Sequence, residues 1–179
     1  MRLFLGIPMS DTVVHELAAI RARLEKPADG LRWSAPESWH VTLQFLGAAT
    51  AEQYECVLAQ LRAADAKPAQ VQLEGLGFFE RSGVFFAGIH LTPELSLLQM
   101  KIVAGTSRCG FEAESRPYHP HITLARNKGR ENGVRALKPR VGTAPEFSAF
   151  TAHEYLLYES FPNSTGSRYE VRARFPLTK

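Results

Sequence analysis

Two related stretches decide the fold: HVTLQFLG at residues 40–47 and HPHITLAR at residues 119–126. Each contains the pattern His-x-Thr-Leu, which begins at His40 in the first stretch and at His121 in the second. Composition alone predicts only about 0.04 occurrences of this pattern in a chain of this length. In an extended strand, residues i and i+2 lie on the same face. We therefore expect the histidine and threonine of each copy to project together, away from their apolar neighbours.

The similarity extends to the segments that precede these motifs. RLFLGIP at residues 2–8 resembles VFFAGIH at residues 84–90, with an offset of 82 residues between matching positions. A helix-capping residue follows each segment, Ser10 in one case and Thr92 in the other, and apolar residues at helical spacing come next. The order strand, cap, helix and His-x-Thr-Leu thus occurs twice. It predicts an α+β fold of two pseudo-repeated lobes that begin near residues 2 and 84.

The remainder of the second half has no counterpart in the first. Residues 127–145 are polar and rich in glycine and proline, which predicts a loop with at most a short helix. Residues 147–160 and 169–177 have the pattern of two closing strands, joined by the turn-like sequence FPNSTGS. Because no linker or low-complexity tract divides the chain, we predict one domain, residues 1–179, in which the two lobes pack together.

Charge, cysteine content and apolar runs indicate where the protein is located and what it can bind, but they do not indicate a reaction. The net charge of +3 and the isoelectric point near 9.0 permit a polyanionic partner but do not require one. Cys56 and Cys109 lie far apart without metal-type spacing, so we expect two free buried thiols in a reducing compartment. No apolar run approaches the ~20 residues of a membrane span, and the N-terminal apolar run is too short for a signal peptide. The expected location is the cytoplasm, with no membrane partner.

The paired motifs suit the chemistry of a phosphodiester if pseudo-symmetry brings them to one cleft. A neutral imidazole can accept a proton from water while a charged one donates a proton to the departing oxygen. The hydroxyls of Thr42 and Thr123 can donate hydrogen bonds to the phosphoryl oxygens as negative charge builds there. The symmetry of the sequence does not say whether His40 or His121 is the proton donor.

Three alternatives compete with this interpretation. Each His-x-Thr pair can be an ordinary satisfied polar pair, and His90-Leu-Thr92 is best explained this way because Thr92 aligns with the Ser10 cap. A metal site can be drawn from His40, His119, His121 and His153, but catalytic zinc needs three protein ligands and structural zinc prefers closer spacing. A nucleotide- or RNA-binding module without catalysis is the third. We expect no metal, and the absence of phosphate-binding glycine motifs indicates no nucleotide cofactor.

Four segments carry a resemblance to a known family: RWSAPESWHVTLQFLG, RPYHPHITLAR, LYES and GSRYEVRARFPL. Together they resemble the two-histidine (2H) phosphoesterase superfamily, and within it the bacterial and archaeal RNA 2′,3′-cyclic phosphodiesterases, historically called 2′-5′ RNA ligases. The resemblance covers essentially the whole chain. It implies two lobes related by a pseudo-dyad, each a mainly antiparallel sheet with helices outside, and an active-site cleft between them. It also implies hydrolysis of a terminal RNA 2′,3′-cyclic phosphate to a 2′-phosphate, with 2′-5′ joining as the reverse reaction.

The same resemblance assigns roles to individual residues. It implies that His40 is the proton donor to the leaving 3′ oxygen, that His121 is the base that activates water, and that Thr42 and Thr123 bind the phosphate. Arg126 matches a basic position that follows the second motif. Its distance of five residues from His121 gives it the wrong parity for the same face, unless the strand ends or bulges near Ala125.

Other residues are candidates for holding the rest of the substrate. Arg32 and Tyr118 are predicted substrate-binding residues, and Lys128 and Arg130 are candidates for contacts with the RNA backbone. The expected partner is RNA with a 2′,3′-cyclic phosphate end, including tRNA fragments, bound by a monomer. A small cyclic nucleotide or an ADP-ribose cyclic phosphate is the alternative substrate.

Overall fold

A computed structural model describes residues 1–129, 131–143, 145–163 and 166–178. Numbered in chain order, the elements in those residues are β1 (Arg2–Pro8), α1 (Asp11–Leu24), β2 (Leu31–Trp33), β3 (His40–Ala48), α2 (Ala51–Arg62), β4 (Ala69–Val71), β5 (Leu73–Phe79), β6 (Val84–Ile89), α3 (Pro93–Ser107), β7 (His121–Asn127), α4 (Gly133–Val141), β8 (Phe150–Ala152), β9 (Glu154–Asn163) and β10 (Gly166–Pro176). Short 3₁₀ turns cover Pro36–Ser38 and Glu80–Ser82.

Most of these strands form two four-stranded antiparallel sheets. The strand order is β10-β9-β1-β3 in the first sheet and β2-β7-β6-β5 in the second, and β4 pairs with β8 in a small third sheet. The predicted α+β class with antiparallel sheets is confirmed.

The two halves of the sequence exchange strands between these sheets. The second sheet contains β2 and β5 from the first half of the chain, and the first sheet contains β9 and β10 from the second half. A boundary near residue 84 therefore marks the sequence repeat but does not separate the two sheets in space. This exchange supports our proposal that residues 1–179 form a single domain.

Helices α1 and α3 begin where capping residues were expected. The Ser10 hydroxyl accepts a hydrogen bond from the Val13 amide at 3.4 Å, and Thr92 does the same for Leu95 at 3.2 Å. Thr50 caps α2: its hydroxyl accepts a hydrogen bond from the Gln53 amide at 3.2 Å, and its own amide donates to the Gln53 side-chain oxygen at 3.1 Å. The role of Thr92 explains the third His-x-Thr copy as a helix start. No helix in the described part of the chain is both long and apolar enough to cross a membrane.

The apolar core consists of the inner faces of the sheets and the stripe of each helix that packs on them. In α1 the buried stripe is Val13, Leu17, Ile20 and Leu24, the spacing expected of an amphipathic helix. Within the motif strands, Val41 and Leu43 in β3 and Ile122 and Leu124 in β7 are almost completely buried. Burial of these neighbours fixes which face of each strand is left for the histidines and threonines.

The two cysteines are joined in a disulfide, so the expectation of two free thiols is wrong. Cys56 lies in α2 and Cys109 lies just after α3, with Cα atoms 5.7 Å apart across a sequence separation of 53 residues. Helix α2 packs beside α3, and this tertiary contact brings together two thiols that are distant in sequence. Because both thiols are paired, the cysteines do not indicate a reducing compartment.

Candidate active site

The two His-x-Thr-Leu motifs occupy equivalent places at the beginnings of strands β3 and β7. His40 and Thr42 are half-buried on one face of β3, whereas the intervening Val41 is fully buried on the other. His121 and Thr123 have the same arrangement in β7, around the buried Ile122. Each pair therefore projects from its strand as the motif predicts.

Each imidazole is held by the backbone two residues before it. Nδ1 of His40 lies 2.7 Å from the carbonyl oxygen of Ser38, and Nδ1 of His121 lies 2.8 Å from that of His119. Because a carbonyl oxygen can only accept, Nδ1 carries the proton in both rings. In the neutral form, Nε2 of each ring then holds a lone pair and is the atom available for proton transfer.

Aromatic rings support both histidines, and they differ between the two motifs. The His40 ring lies against Phe4, with centroids 4.7 Å apart, and meets the edge of Tyr169 at 5.3 Å. The His121 ring instead meets Phe79 at 5.0 Å and Phe86 at 5.4 Å. These contacts restrict the orientation of the imidazoles and remove water from their sides.

Burial lowers the pKa of both imidazoles below the ordinary value of 6.5. For His40 the pKa is lowered to about 4, mainly by the loss of hydration and also by the charges of His121 and Arg126, against a smaller raising effect of the Ser38 carbonyl. For His121 burial also lowers the pKa, assisted by the charges of His119 and Arg126. Both rings are consequently neutral at pH 7 in the free protein.

Tyr118 connects the second motif to the first. Its hydroxyl donates a hydrogen bond of 2.9 Å to the backbone carbonyl of Thr42, and burial raises the pKa of its phenol above the ordinary value. The residue therefore holds the segment before β7 against β3, which brings the two motifs together. Its predicted contact with RNA stays a prediction.

A bulge in β7 brings Arg126 to the face of Thr123. Phe86 of β6 pairs with Thr123, but its neighbour Phe85 pairs with Ala125, so β7 contains one extra residue at this point. Leu124 and Ala125 are consequently both buried, and the alternation shifts by one position. Nη2 of Arg126 then lies 3.4 Å from the Thr123 hydroxyl. The bulge near Ala125, which Arg126 needs in order to reach the face of the motif, is therefore present.

A cavity of about 460 Å³ adjoins the motif strands. It lies between β2 with its following turn, Arg126 of β7, and residues 166–169 of β10. Arg32, the other predicted basic contact, lines this cavity. The backbone amide of Lys128 donates to the carbonyl oxygen of Gly30 at 2.9 Å, and the contact of its side chain with RNA stays a prediction. Arg130 lies outside the described residues.

Several residues beside the histidines were not predicted from sequence. Tyr158 and Tyr169 reach His40 from β9 and β10, and Arg168 lines the cavity. Phe4 and Phe86 occupy matching positions of the repeat, 82 residues apart, and this match could have marked them as site residues. Each packs against the histidine of its own half. For the tyrosines there was no such signal, because β9 and β10 have no counterpart in the repeat.

The metal alternative receives no geometric support from the described residues. Across them, no group of three or more histidine, cysteine, aspartate and glutamate side chains is arranged to hold a metal ion. The rings of His119 and His121, two of the four histidines in that alternative, have centroids 6.4 Å apart.

The comparison with protein families agrees with these motifs. The family model described as the 2′-5′ RNA ligase superfamily matches residues 9–160, which is most of the chain. The chain belongs to the 2′-5′ RNA ligase superfamily. The matched segment includes both His-x-Thr-Leu motifs, and the resemblance seen in the sequence is confirmed.

Relatives in this superfamily match along most of the chain. An RNA 2′,3′-cyclic phosphodiesterase of Bacillus subtilis is 30% identical over 165 residues, covering 84% of this chain and 87% of the relative. A protein of the same name from Geobacillus stearothermophilus is 28% identical over 181 residues; the match covers 97% of this chain and 56% of the relative. The crystal structure of E. coli LigT complexed with 3′-AMP superposes with a TM-score of 0.82 at 26% identity, covering 99% of this chain and 98% of that one.

Proposed function

We propose that the protein hydrolyses RNA 2′,3′-cyclic phosphate ends to 2′-phosphates by acid–base catalysis. The observation that carries this proposal is the pair of imidazoles on β3 and β7, each with Nδ1 held by a carbonyl and Nε2 left for proton transfer. The names of the superfamily relatives favour the same substrate. We further propose that the protein acts as a monomer in the cytoplasm, without a metal or other cofactor.

In the proposed reaction, one histidine accepts a proton and the other donates one. Nε2 of His121 accepts a proton from water as the water oxygen attacks phosphorus. The bond between phosphorus and the 3′ oxygen breaks, and Nε2–H of His40 donates its proton to that oxygen. The products are a 2′-phosphate and a 3′-hydroxyl, and a 5′-hydroxyl in place of water would form a 2′-5′ linkage.

The threonines and Arg126 stabilise the phosphoryl group during this step. The hydroxyls of Thr42 and Thr123 donate to its non-bridging oxygens, and the guanidinium beside Thr123 adds positive charge there. Because these donors are already fixed on strands, little reorganisation is needed as negative charge builds on the phosphoryl oxygens.

The low pKa of His40 links its protonation to substrate binding. A ring with a pKa of about 4 is neutral at pH 7 and has no proton at Nε2 to donate. A bound anionic phosphate favours the charged imidazolium and raises this pKa. In this proposal His40 therefore gains its proton together with the substrate.

This linkage predicts how kcat/KM depends on pH. The reactive free enzyme has one imidazolium and one neutral ring in the histidine pair, and this form is most abundant between the two pKa values, both of which lie below 6.5. We expect a bell-shaped profile of kcat/KM with its maximum on the acid side of pH 6.5, and a fall towards about tenfold per pH unit above it. Initial rates at low substrate concentration between pH 4 and pH 9 would measure it, and a rate that rises steadily to pH 9 would point to another base.

The activity itself is tested with an RNA oligonucleotide that ends in a 2′,3′-cyclic phosphate. Incubated in EDTA without added metal, the protein is expected to convert this end fully to a 2′-phosphate. Resistance of the product to a 3′-specific phosphatase and its chromatographic identity establish the isomer. Loss of activity in EDTA with recovery in zinc would contradict the metal-free mechanism. Binding of the RNA without conversion across pH 5–8 would instead indicate a non-catalytic RNA-binding module.

A further inference from the structure

Two arginines face each other across strands β2 and β7 next to Thr123. Arg32 is the register partner of Arg126 in the antiparallel ladder. Like charges placed directly opposite each other destabilise a sheet. Among the described residues, no carboxylate forms an ion pair with either guanidinium. This arrangement is one that an anionic ligand would stabilise.

A third arginine completes a basic cavity, here called the arginine pocket and defined by Arg32, Arg126 and Arg168. All three line the cavity of about 460 Å³, together with a single carboxylate, that of Glu37. Arg168 also pairs with Glu170 at 2.6 Å, but this pair is on the surface, and such pairs contribute little to stability. Its guanidinium can therefore exchange this partner for an anion at small cost.

The arginine pocket is continuous with the candidate active site. Arg126 borders both, since its guanidinium contacts Thr123 and also lines the pocket. Tyr169 lines the pocket and meets the ring of His40 at 5.3 Å, and Ser38 lines it while holding His40 through its carbonyl. A ligand bound beside His40 and Thr123 can therefore reach the pocket past Tyr169 and Arg126.

We propose that the arginine pocket binds a second phosphate of the substrate, the one on the 5′ side of the terminal nucleotide. This inference rests on the proposed function and narrows its substrate class. An RNA strand has a phosphate at that position, whereas a nucleoside 2′,3′-cyclic monophosphate does not. The pocket therefore selects oligonucleotide ends, or ends with a 5′-phosphate, over cyclic mononucleotides.

Binding of two product-like probes tests the proposal without relying on turnover. Adenosine 2′-monophosphate and adenosine 2′,5′-bisphosphate differ only in the second phosphate, and their dissociation constants can be measured by calorimetry at one low salt concentration. We expect the bisphosphate to bind about tenfold more tightly or better, as for charge-assisted hydrogen bonds to one phosphate. In the double variant Arg32→Gln/Arg168→Gln, this ratio should fall to near one.

A matched variant controls for the loss of positive charge. Arg62 and Arg135 are exposed on α2 and α4 and do not line the pocket, so Arg62→Gln/Arg135→Gln removes the same charge elsewhere. This control should keep the wild-type preference for the bisphosphate. Equal affinity of wild-type protein for the two probes would overturn the proposal, as would a preference that survives in Arg32→Gln/Arg168→Gln.

A kinetic experiment separates failure of this inference from failure of the proposed function. We expect wild-type kcat/KM to be about tenfold higher or more for adenosine 2′,3′-cyclic phosphate with a 5′-phosphate than without one. Hydrolysis of both at equal rates would support the proposed function and refute the pocket assignment. If the protein prefers the bisphosphate in binding but hydrolyses no cyclic phosphate, the proposed function is refuted, whereas the arginine pocket is still supported as an anion-binding site.

Discussion

Replacing His40 or His121 by alanine should lower kcat for hydrolysis of a 2′,3′-cyclic phosphate RNA end by about 10²-fold or more. Each substitution removes an Nε2 that the backbone holds ready for proton transfer. Because the two rings act in one step, the double variant should be little slower than either single variant. Single-turnover rates at saturating enzyme would measure the loss at the chemical step.

His90→Ala is the matched control for these two substitutions. His90 begins the third His-x-Thr copy, but its ring is exposed and bonded to Glu74 at 2.7 Å, and Thr92 serves as a helix cap. This variant should keep wild-type kcat. A loss of less than about tenfold in both His40→Ala and His121→Ala would contradict the acid–base assignment.

Gly6→Ala should produce the second-largest loss, about tenfold or more in kcat with a smaller change in KM, although Gly6 bears no functional group. A Cβ at this position would lie 2.9 Å from the carbonyl oxygen of Val41 and 3.2 Å from Cδ2 of His40. Strand β1 is paired on both sides, with β3 and with β9, and cannot move away easily. The His40 ring is therefore expected to turn out of its position. Kinetics and the NMR signals of the His40 ring would detect the change.

The repeat supplies a control for this substitution as well. Gly88 is the counterpart of Gly6 at an offset of 82 residues, and a Cβ there would meet no atom closer than 3.8 Å. Gly88→Ala should therefore leave kcat and the histidine signals near those of the wild type. Equal losses in the two variants would show that the close approach of Gly6 to His40 is not the cause. Thermal unfolding of both proteins separates a displaced ring from a general loss of structure.

The features that sequence predicted correctly are those that depend on local patterns. Alternation within HVTL and HITL was enough to place histidine and threonine on one face. The caps at Ser10 and Thr92 follow from short-range hydrogen bonding. The repeat predicted the α+β class because it relates whole strand and helix patterns to one another.

The features that sequence missed depend on contacts between distant segments. The disulfide between Cys56 and Cys109 needs the packing of α2 on α3, and the contact of Tyr169 with His40 needs the placement of β10 in the first sheet. The alternation of side chains along a strand, counted from His121, predicted that Arg126 needs an irregularity in β7. It placed that irregularity near Ala125 but could not choose between a strand end and a bulge, because the extra residue in β7 is defined only by its register against β6.

The exchange of strands between the two sheets has a consequence for biosynthesis. The sheet that carries His40 is completed only when β9 pairs with β1 and β10 pairs with β9. Two tyrosines that contact the His40 ring, Tyr158 and Tyr169, come from these late strands. A nascent chain on the ribosome therefore has both motifs before it has a formed cleft. Two fragments produced by cleavage near residue 82 would each lack strands of their own sheet. We therefore expect that neither half folds on its own and that catalytic competence appears late in translation.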